Sequence, residues 1–204
     1  MWYRKDLANT FQIPLINADR MMLSILPESP LPKWAKDLRD NDATWMAVAQ
    51  KGVETFTVLA MDKKASFAME TVFSHWKPLP CGGHESKIDK IRLLQNSGYF
   101  VLLLFVGLSN AGVSVGRVNT RHATGGHGVP VTKLLERFPR TQEAIREACK
   151  IVDASILIDN SRDEKNAFTV CRIEISKKIV FDCREGGTLP APEILEWLGV
   201  VSPR

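Results

Sequence analysis

The feature that most constrains the fold is an unbroken run of ten mainly apolar residues, YFVLLLFVGL, at positions 99–108. A membrane-spanning helix needs about 20 such residues, so the run is too short to cross a bilayer. Continuous apolar runs of this length are typical of strands buried on both faces of a parallel sheet. The sequence therefore predicts a central strand over 99–106, covered on both faces.

Shorter strand-like and helix-like segments alternate around this run. The apolar periodicity predicts strands over 13–19, 66–71 and 154–158, helices over 42–59, 84–96, 110–122, 130–149 and 193–198, and a hairpin over 168–175 and 179–183. Asp42 is the expected N-cap of the first helix, and Gly98 is expected to end the second. The alternation predicts one α/β domain over 1–204, with a mostly parallel sheet, helices on both faces and a late antiparallel hairpin.

Composition narrows the class of protein. The 204 residues are 45% apolar and 25% charged, as in globular proteins, and 27 Lys and Arg against 23 Asp and Glu leave a net charge of +4. This excess is too small to predict nucleic-acid binding. The four cysteines form no CxxC pair, and the opening residues include no apolar stretch of the signal-peptide type. We expect a cytoplasmic protein with reduced thiols, no membrane association and no bound metal.

Polar side chains follow three of the predicted strands. They are Asn17 and Asp19, then Glu70 and Thr71, then Asp159 and Asn160. In sheets of this kind, ligands bind beyond the carboxyl ends of the strands. Asp19 is suited to deprotonating a substrate hydroxyl or holding a metal, and Glu70 to accepting hydrogen bonds from sugar hydroxyls. The alternative is that these side chains only cap helices and order loops.

A basic segment, RVNTRHATGGHG, provides the opposite charge. Arg117 and Arg121 stand four residues apart, which places them on one face of a helix. Two neighbouring guanidinium groups favour binding of a phosphate, although a solvated helix face would show the same spacing. The glycine-rich turn at 125–128 lacks the GxxxxGK[ST] pattern of a phosphate loop, and no such pattern occurs in the sequence.

Five segments in order along the chain carry a family resemblance. They are PLINADR, AMETVFSHW, GYFVLLLFVGL, the block that begins RV and continues to GGHGVP, and LIDNSR. Together they resemble the zeta-toxin and UDP-N-acetylglucosamine kinase family. The resemblance implies a P-loop NTPase fold and the phosphorylation of a hydroxyl on a nucleotide sugar, with ATP and Mg²⁺.

The matched motifs also imply roles for individual residues. Asp19 corresponds to the catalytic base, Glu70 and Thr71 to the substrate-binding strand end, and Arg117 to the residue that stabilises the transferring phosphate. A second phosphate-binding position falls on either Arg121 or His127. The family further implies a nucleotide-sugar substrate and an antitoxin protein as partners.

The sequence departs from the family pattern before Asp19. Family members carry a first strand and a GxxGxGK[ST] loop there, whereas the eighteen residues that precede Asp19 contain no glycine. We therefore expect a fold without that strand and loop, weak binding of ATP·Mg²⁺ and impaired kinase activity. The alternatives are a non-catalytic relative that binds a nucleotide sugar or a protein, and a small-molecule kinase or hydrolase unrelated to toxicity. A missing strand would expose a sheet edge, which predicts a homodimer or poor solubility.

Overall fold

The computed structural model describes residues 13–27, 31–80, 82–123 and 130–204. The chain divides into two compact units, one that ends at Val72 and one formed by Phe73–Arg204. We describe each unit by itself, and the single domain over 1–204 stays a prediction.

The first unit combines three helices with a short parallel strand pair. Its elements are β1 (Leu15–Ile16), α1 (Ala18–Ile25), α2 (Lys33–Asn41), α3 (Ala43–Asp62) and β2 (Ala68–Met69). β1 and β2 pair in parallel, with Leu15 opposite Ala68. The predicted N-cap is confirmed, because the Asp42 carboxylate accepts the backbone N–H groups of Thr44 and Trp45 at 2.7 and 3.1 Å.

The first predicted strand, 13–19, is wrong at its end. Asn17 has an extended backbone and its side chain accepts the Arg20 N–H at 2.9 Å, so it starts α1 directly after β1. Asp19 therefore lies in the first turn of a helix rather than in a strand. α1 packs on α3, where Met22 and Ala49 are buried. The approach is close enough that a Cβ at Gly52 would overlap the Met21 side chain.

The second unit contains a hairpin, a four-stranded sheet and four helices among its described residues. Its elements are β3 (Trp76–Pro78), β4 (His84–Ser86), α4 (Ile88–Asn96), β5 (Leu102–Gly107), α5 (Ala111–Ala123), α6 (Val131–Ile151), β6 (Ala154–Asp159), β7 (Thr169–Ile175), β8 (Lys178–Asp182) and α7 (Pro192–Val201). The sheet order is β5-β6-β7-β8. β5 and β6 are parallel, whereas β7 and β8 form the predicted antiparallel hairpin.

The core of this unit lies on one face of the sheet. Leu157 of β6 and Cys171 of β7 are buried against Trp197 and Leu198 of α7 and Ile145 of α6. β5 contributes the side chains of alternate residues to the same core, because successive side chains of a strand point to opposite faces.

The fold prediction is confirmed in part. The structure is a mixed α/β fold, but its described sheets contain both parallel and antiparallel pairs, so it is not mostly parallel. The expected central position of the apolar strand is wrong, because β5 forms an edge of its sheet. The prediction that both faces of this strand are covered is also wrong, since the residues Leu102, Leu104 and Val106 remain 50%, 43% and 38% exposed.

The helix predicted over 84–96 also begins later than expected. Residues His84–Ser86 form β4, which pairs with β3, and the helix starts at Ile88. A ring stack between Trp76 and His84, with centroids 4.2 Å apart, favours the strand pairing over another helical turn. The predicted end is confirmed: Gly98 follows the helix with a positive φ of 84°, a conformation that suits glycine.

None of the helices in the described part of the chain combines the length and the apolar character needed to cross a membrane.

Candidate functional site

The carboxyl ends of β1 and β2 meet in the first unit. Ile16 pairs with Met69, and the Ile16 carbonyl accepts the Glu70 N–H at 3.0 Å. Just beyond this pair, the Asn17 side-chain amide donates to Glu70 Oε2 at 2.6 Å. Two of the polar residues that follow the predicted strands, Asn17 and Glu70, are therefore in contact. Together with Asp19, they form what we call the first strand-end group.

The remaining predicted residues of this unit are solvent-accessible. Asp19 is exposed on the first turn of α1, and Thr71 is exposed directly after Glu70. The Asp19 carboxylate is therefore accessible to a ligand that reaches this edge, while Glu70 is held in place by Asn17.

The carboxyl ends of β5 and β6 carry a second, more extensive polar group. Asp159 closes β6 and is fully buried, with 0% exposure. Its Oδ1 accepts the Ser161 N–H at 2.9 Å, and its Oδ2 pairs with Arg162 Nε at 3.1 Å. A buried carboxylate requires such partners, because an unpaired charge away from water is strongly unfavourable. These contacts with the Asp159 carboxylate thus hold the 160–162 loop in place.

Two further hydrogen bonds connect this loop to the end of β5. The Asn160 N–H donates to the Gly107 carbonyl at 3.0 Å, and the Ser109 N–H donates to Ser161 Oγ at 2.6 Å. The two strand ends and their loops are therefore a single hydrogen-bonded structure. We call residues 159–162, with Ser109 and Arg117, the second strand-end group.

Arg117 connects α5 to this group. Its Nη2 donates to the Arg162 carbonyl oxygen at 3.3 Å, and its side chain is otherwise exposed. One guanidinium contact holds the side chain beside the strand ends, which leaves its other N–H groups directed to solvent. An exposed arginine tethered in this way is suited to binding an anionic oxygen.

One buried acceptor in the second group has no partner. Among the described residues, Asn160 Oδ1 is buried and accepts no hydrogen bond. Buried polar atoms are usually paired, so this acceptor is suited to an N–H or O–H group of a ligand. Sequence reasoning placed Asn160 at a strand end but did not identify the unpaired atom.

The predicted residues fall into separate places. Asp19, Glu70 and Thr71 lie in the first unit and Arg117 in the second, and each unit is described by itself. Arg121 lies in α5, but its side chain is outside the described residues, and His127 and the 125–128 turn are also outside them. Sequence reasoning gave no role to Ser161 and Arg162; the signal was the LIDNSR motif, in which Arg162 stands three residues after a strand-end aspartate.

The described residues contain no cluster of three His, Cys, Asp or Glu side chains arranged to hold a metal ion. The residues present therefore do not form a Mg²⁺ site of that type, and we assign none of them to Mg²⁺.

No protein-family model, curated protein or solved structure matches this chain.

Proposed function

We propose that this chain is a zeta-toxin-like kinase for the transfer of a phosphoryl group from ATP to a hydroxyl of a nucleotide sugar such as UDP-N-acetylglucosamine, with activity impaired by the lack of a GxxGxGK[ST] loop in this sequence. The observation that best supports this function is the placement of Arg117. Its guanidinium is tethered to the loop that ends β6, at the carboxyl edge of the parallel β5–β6 pair. Ligands of open α/β sheets bind at that edge, and phosphate is the anion that arginine binds best there.

In the proposed reaction each group has a distinct role. By the family resemblance, Asp19 of the first unit has the role of the base that accepts the proton of the sugar hydroxyl, whose oxygen attacks the γ-phosphorus while ADP leaves. By the same resemblance, Arg117 of the second unit has the role of stabilising a transferring phosphoryl group. Glu70 accepts hydrogen bonds from the sugar, and its contact with Asn17 limits the orientations of its carboxylate. The Thr71 hydroxyl is a second group that can hydrogen-bond to the sugar at the same strand end.

ATP binding is the step of the expected activity that this sequence supports least. In P-loop enzymes, backbone amides and a lysine of the glycine-rich loop hold the β- and γ-phosphates. Because the sequence contains no GxxxxGK[ST], we expect ATP·Mg²⁺ to bind this chain with a Kd no lower than about 1 mM. Binding of the nucleotide sugar does not need that loop and is the function to test first.

Isothermal calorimetry with UDP-N-acetylglucosamine provides that test. We expect Glu70→Ala to weaken binding about tenfold, since the hydrogen bonds from the sugar hydroxyls to its carboxylate are lost. Arg117→Ala should change binding much less, because its charge acts on the transferring phosphoryl group. Lys133→Ala is the control, because Lys133 is exposed in α6, outside both strand-end groups. No measurable binding to the unaltered chain, or equal losses in Glu70→Ala and Lys133→Ala, would contradict the proposal.

Catalysis is tested after a GxxGxGK[ST] segment is placed before residue 1. Asp19→Asn removes the base while it keeps the side-chain shape, and should lower the rate by about 10²–10⁴-fold. Arg117→Ala should lower turnover by a comparable factor, because its charge acts on the transition state. If the fused protein binds ATP, transfers phosphate and is unaffected by both substitutions, these residues are not catalytic.

A second candidate function is a non-catalytic module that binds a second copy of this chain. The face of the sheet opposite the core supports it, because Phe100 is 63% exposed and continues the exposed row of Leu102, Leu104 and Val106, with Ile175 exposed two strands away. Together these side chains form one exposed apolar patch, and contiguous patches of roughly 300–600 Å² on a protein surface are often interaction sites.

Sedimentation velocity distinguishes the two candidates. A homodimer formed through this face should dissociate in Leu104→Asp, whereas Val200→Asp, an exposed apolar position on α7, should leave it unchanged. A monomer at all concentrations would exclude the dimer, and nucleotide-sugar binding by that monomer would favour the kinase.

A further inference from the structure

Two cysteines flank the last residue pair of the β7–β8 hairpin. Arg172 of β7 and Asp182 of β8 form that pair, with Cys171 directly before Arg172 and Cys183 directly after Asp182. Cys183 begins the turn that follows β8. Directly opposite residues of antiparallel strands have Cα atoms about 4.5–5.5 Å apart and side chains on the same face. Disulfides bridge Cα atoms about 4.4–6.8 Å apart. The register of the hairpin therefore permits a direct bond between the two sulfur atoms.

The side-chain contacts agree with the register. Cys171 belongs to the buried core of the second unit, and Cys183 packs against that core. Each thiol influences the pKa of the other, and both are free cysteines. In the reduced state the Cys171 thiol donates to the Thr169 carbonyl at 3.5 Å.

The two thiols differ in their access to solvent. Cys171 is 2% exposed, whereas Cys183 is only partly buried, at the start of the turn after β8. Burial raises the pKa of Cys171 to about 12 and also raises the pKa of Cys183. Because the thiolate is the reactive form, the dithiol is the resting state and Cys183 is the thiol that an oxidant meets first.

We infer that Cys171 and Cys183 are a modification site, at which a two-electron oxidant such as hydrogen peroxide forms a reversible disulfide. The Cys183 sulfur attacks one peroxide oxygen, the O–O bond breaks, and sulfenic acid and water form. The Cys171 sulfur then displaces the hydroxyl group from Cys183, which leaves as a second water. In total, two thiols and one peroxide yield one disulfide and two waters.

The disulfide would form close to the second strand-end group. Cys171 follows Thr169 by two residues, Thr169 pairs with Asp159 of β6, and Asp159 holds the 160–162 loop. The inference about the disulfide does not depend on the proposed kinase function, because it rests on the hairpin alone.

Peptide mapping of the full chain tests the inference. The reduced protein is treated with hydrogen peroxide at pH 8.5, where more thiolate is present, then alkylated and digested with trypsin. Cleavage after Lys165, Arg172, Lys178 and Arg184 releases each cysteine on its own peptide. We expect peptide 166–172 linked to peptide 179–184, and loss of that species after treatment with dithiothreitol. Only alkylated or over-oxidised forms of the two peptides, or a link to Cys149, would overturn the inference.

Two variants separate the proposed bond from other oxidation. Cys183→Ser should abolish the linked species, and its thermal melting curve reports whether the hairpin still folds. Cys149→Ala removes another, partly buried thiol of the same unit, whose pKa is raised to about 11 by burial, and should leave the linked species unchanged. Loss of the linked species in Cys149→Ala as well as in Cys183→Ser would contradict a specific bond between Cys171 and Cys183.

Discussion

Replacing Asp182 by asparagine should strongly destabilise the second unit. The Asp182 carboxylate is buried at the end of β8 and accepts three hydrogen bonds from Arg184: from its backbone N–H at 2.9 Å, from Nε at 2.8 Å and from Nη2 at 2.6 Å. Arg184 is itself buried and also donates to the Ser202 carbonyl at the end of α7, at 3.0 Å. The pair therefore joins the hairpin to the last helix.

The size of the destabilisation follows from the hydrogen bonds that an asparagine at position 182 cannot accept. Its amide keeps one acceptor but places an NH₂ group against a guanidinium donor, so the buried charge of Arg184 loses its partner. Breaking a buried ion pair in this way costs about 3 kcal/mol. For a chain of this length, that corresponds to a melting temperature lower by roughly 10 °C. Differential scanning calorimetry measures the shift.

Acidification gives an independent check of the same pair. The Arg184 guanidinium lowers the pKa of Asp182 in the folded state. A lowered pKa means that the stabilisation is complete above the unfolded-state value of about 4 and is lost as the pH falls through the folded-state value. The difference in stability between the unaltered chain and Asp182→Asn should therefore shrink below about pH 4.

The matched control is Glu185→Gln, which removes an exposed carboxylate three residues after β8 ends at Asp182 and should leave melting nearly unchanged. If Asp182→Asn melts within about 2 °C of the unaltered chain, the ion pair does not join the hairpin to the helix in the way described.

Two further substitutions test the packing and the first strand-end group. Gly107→Ala should destabilise the fold by about 2 kcal/mol in urea denaturation, because the added Cβ would overlap the Trp197 ring. Gly199→Ala meets open space in a helix and should be neutral or stabilise by up to about 1 kcal/mol, so equal effects would contradict the packing. Asn17→Ala removes a helix cap and the contact with Glu70, and should speed hydrogen exchange of α1 amides about fivefold. Unchanged exchange would show that the cap does not stabilise α1.

Local signals in the sequence predicted most of the elements. Asp42 marks the start of α3 because its short carboxylate reaches the free N–H groups of the first turn. Gly98 follows the end of α4 because the left-handed backbone there disfavours a Cβ. Both signals act within four residues, so no knowledge of the remaining chain is needed to interpret them.

The environment of the apolar run was not predictable in this way. The ten apolar residues correctly indicated a strand, but not whether neighbours cover it. Leu102 and Leu104 are exposed because β5 ends its sheet and because the helices α6 and α7 pack on the other face. Whether a strand is covered, and where it lies in its sheet, depends on residues distant in sequence. The apolar periodicity of the strand itself carries no information about those residues.

The candidate site shows the same division. The sequence by itself determined which residues follow the strands, since Asn17, Glu70 and Asp159 stand immediately at or beyond their ends. Only the tertiary structure decided that Asn17 contacts Glu70, that Asp159 is fully buried, and that Arg117 is tethered to the loop of β6. It also decided that Cys171 and Cys183 flank the same residue pair, Arg172 and Asp182, at the end of the hairpin. These contacts depend on strand register and on helix placement, which arise when segments far apart in the chain pack together.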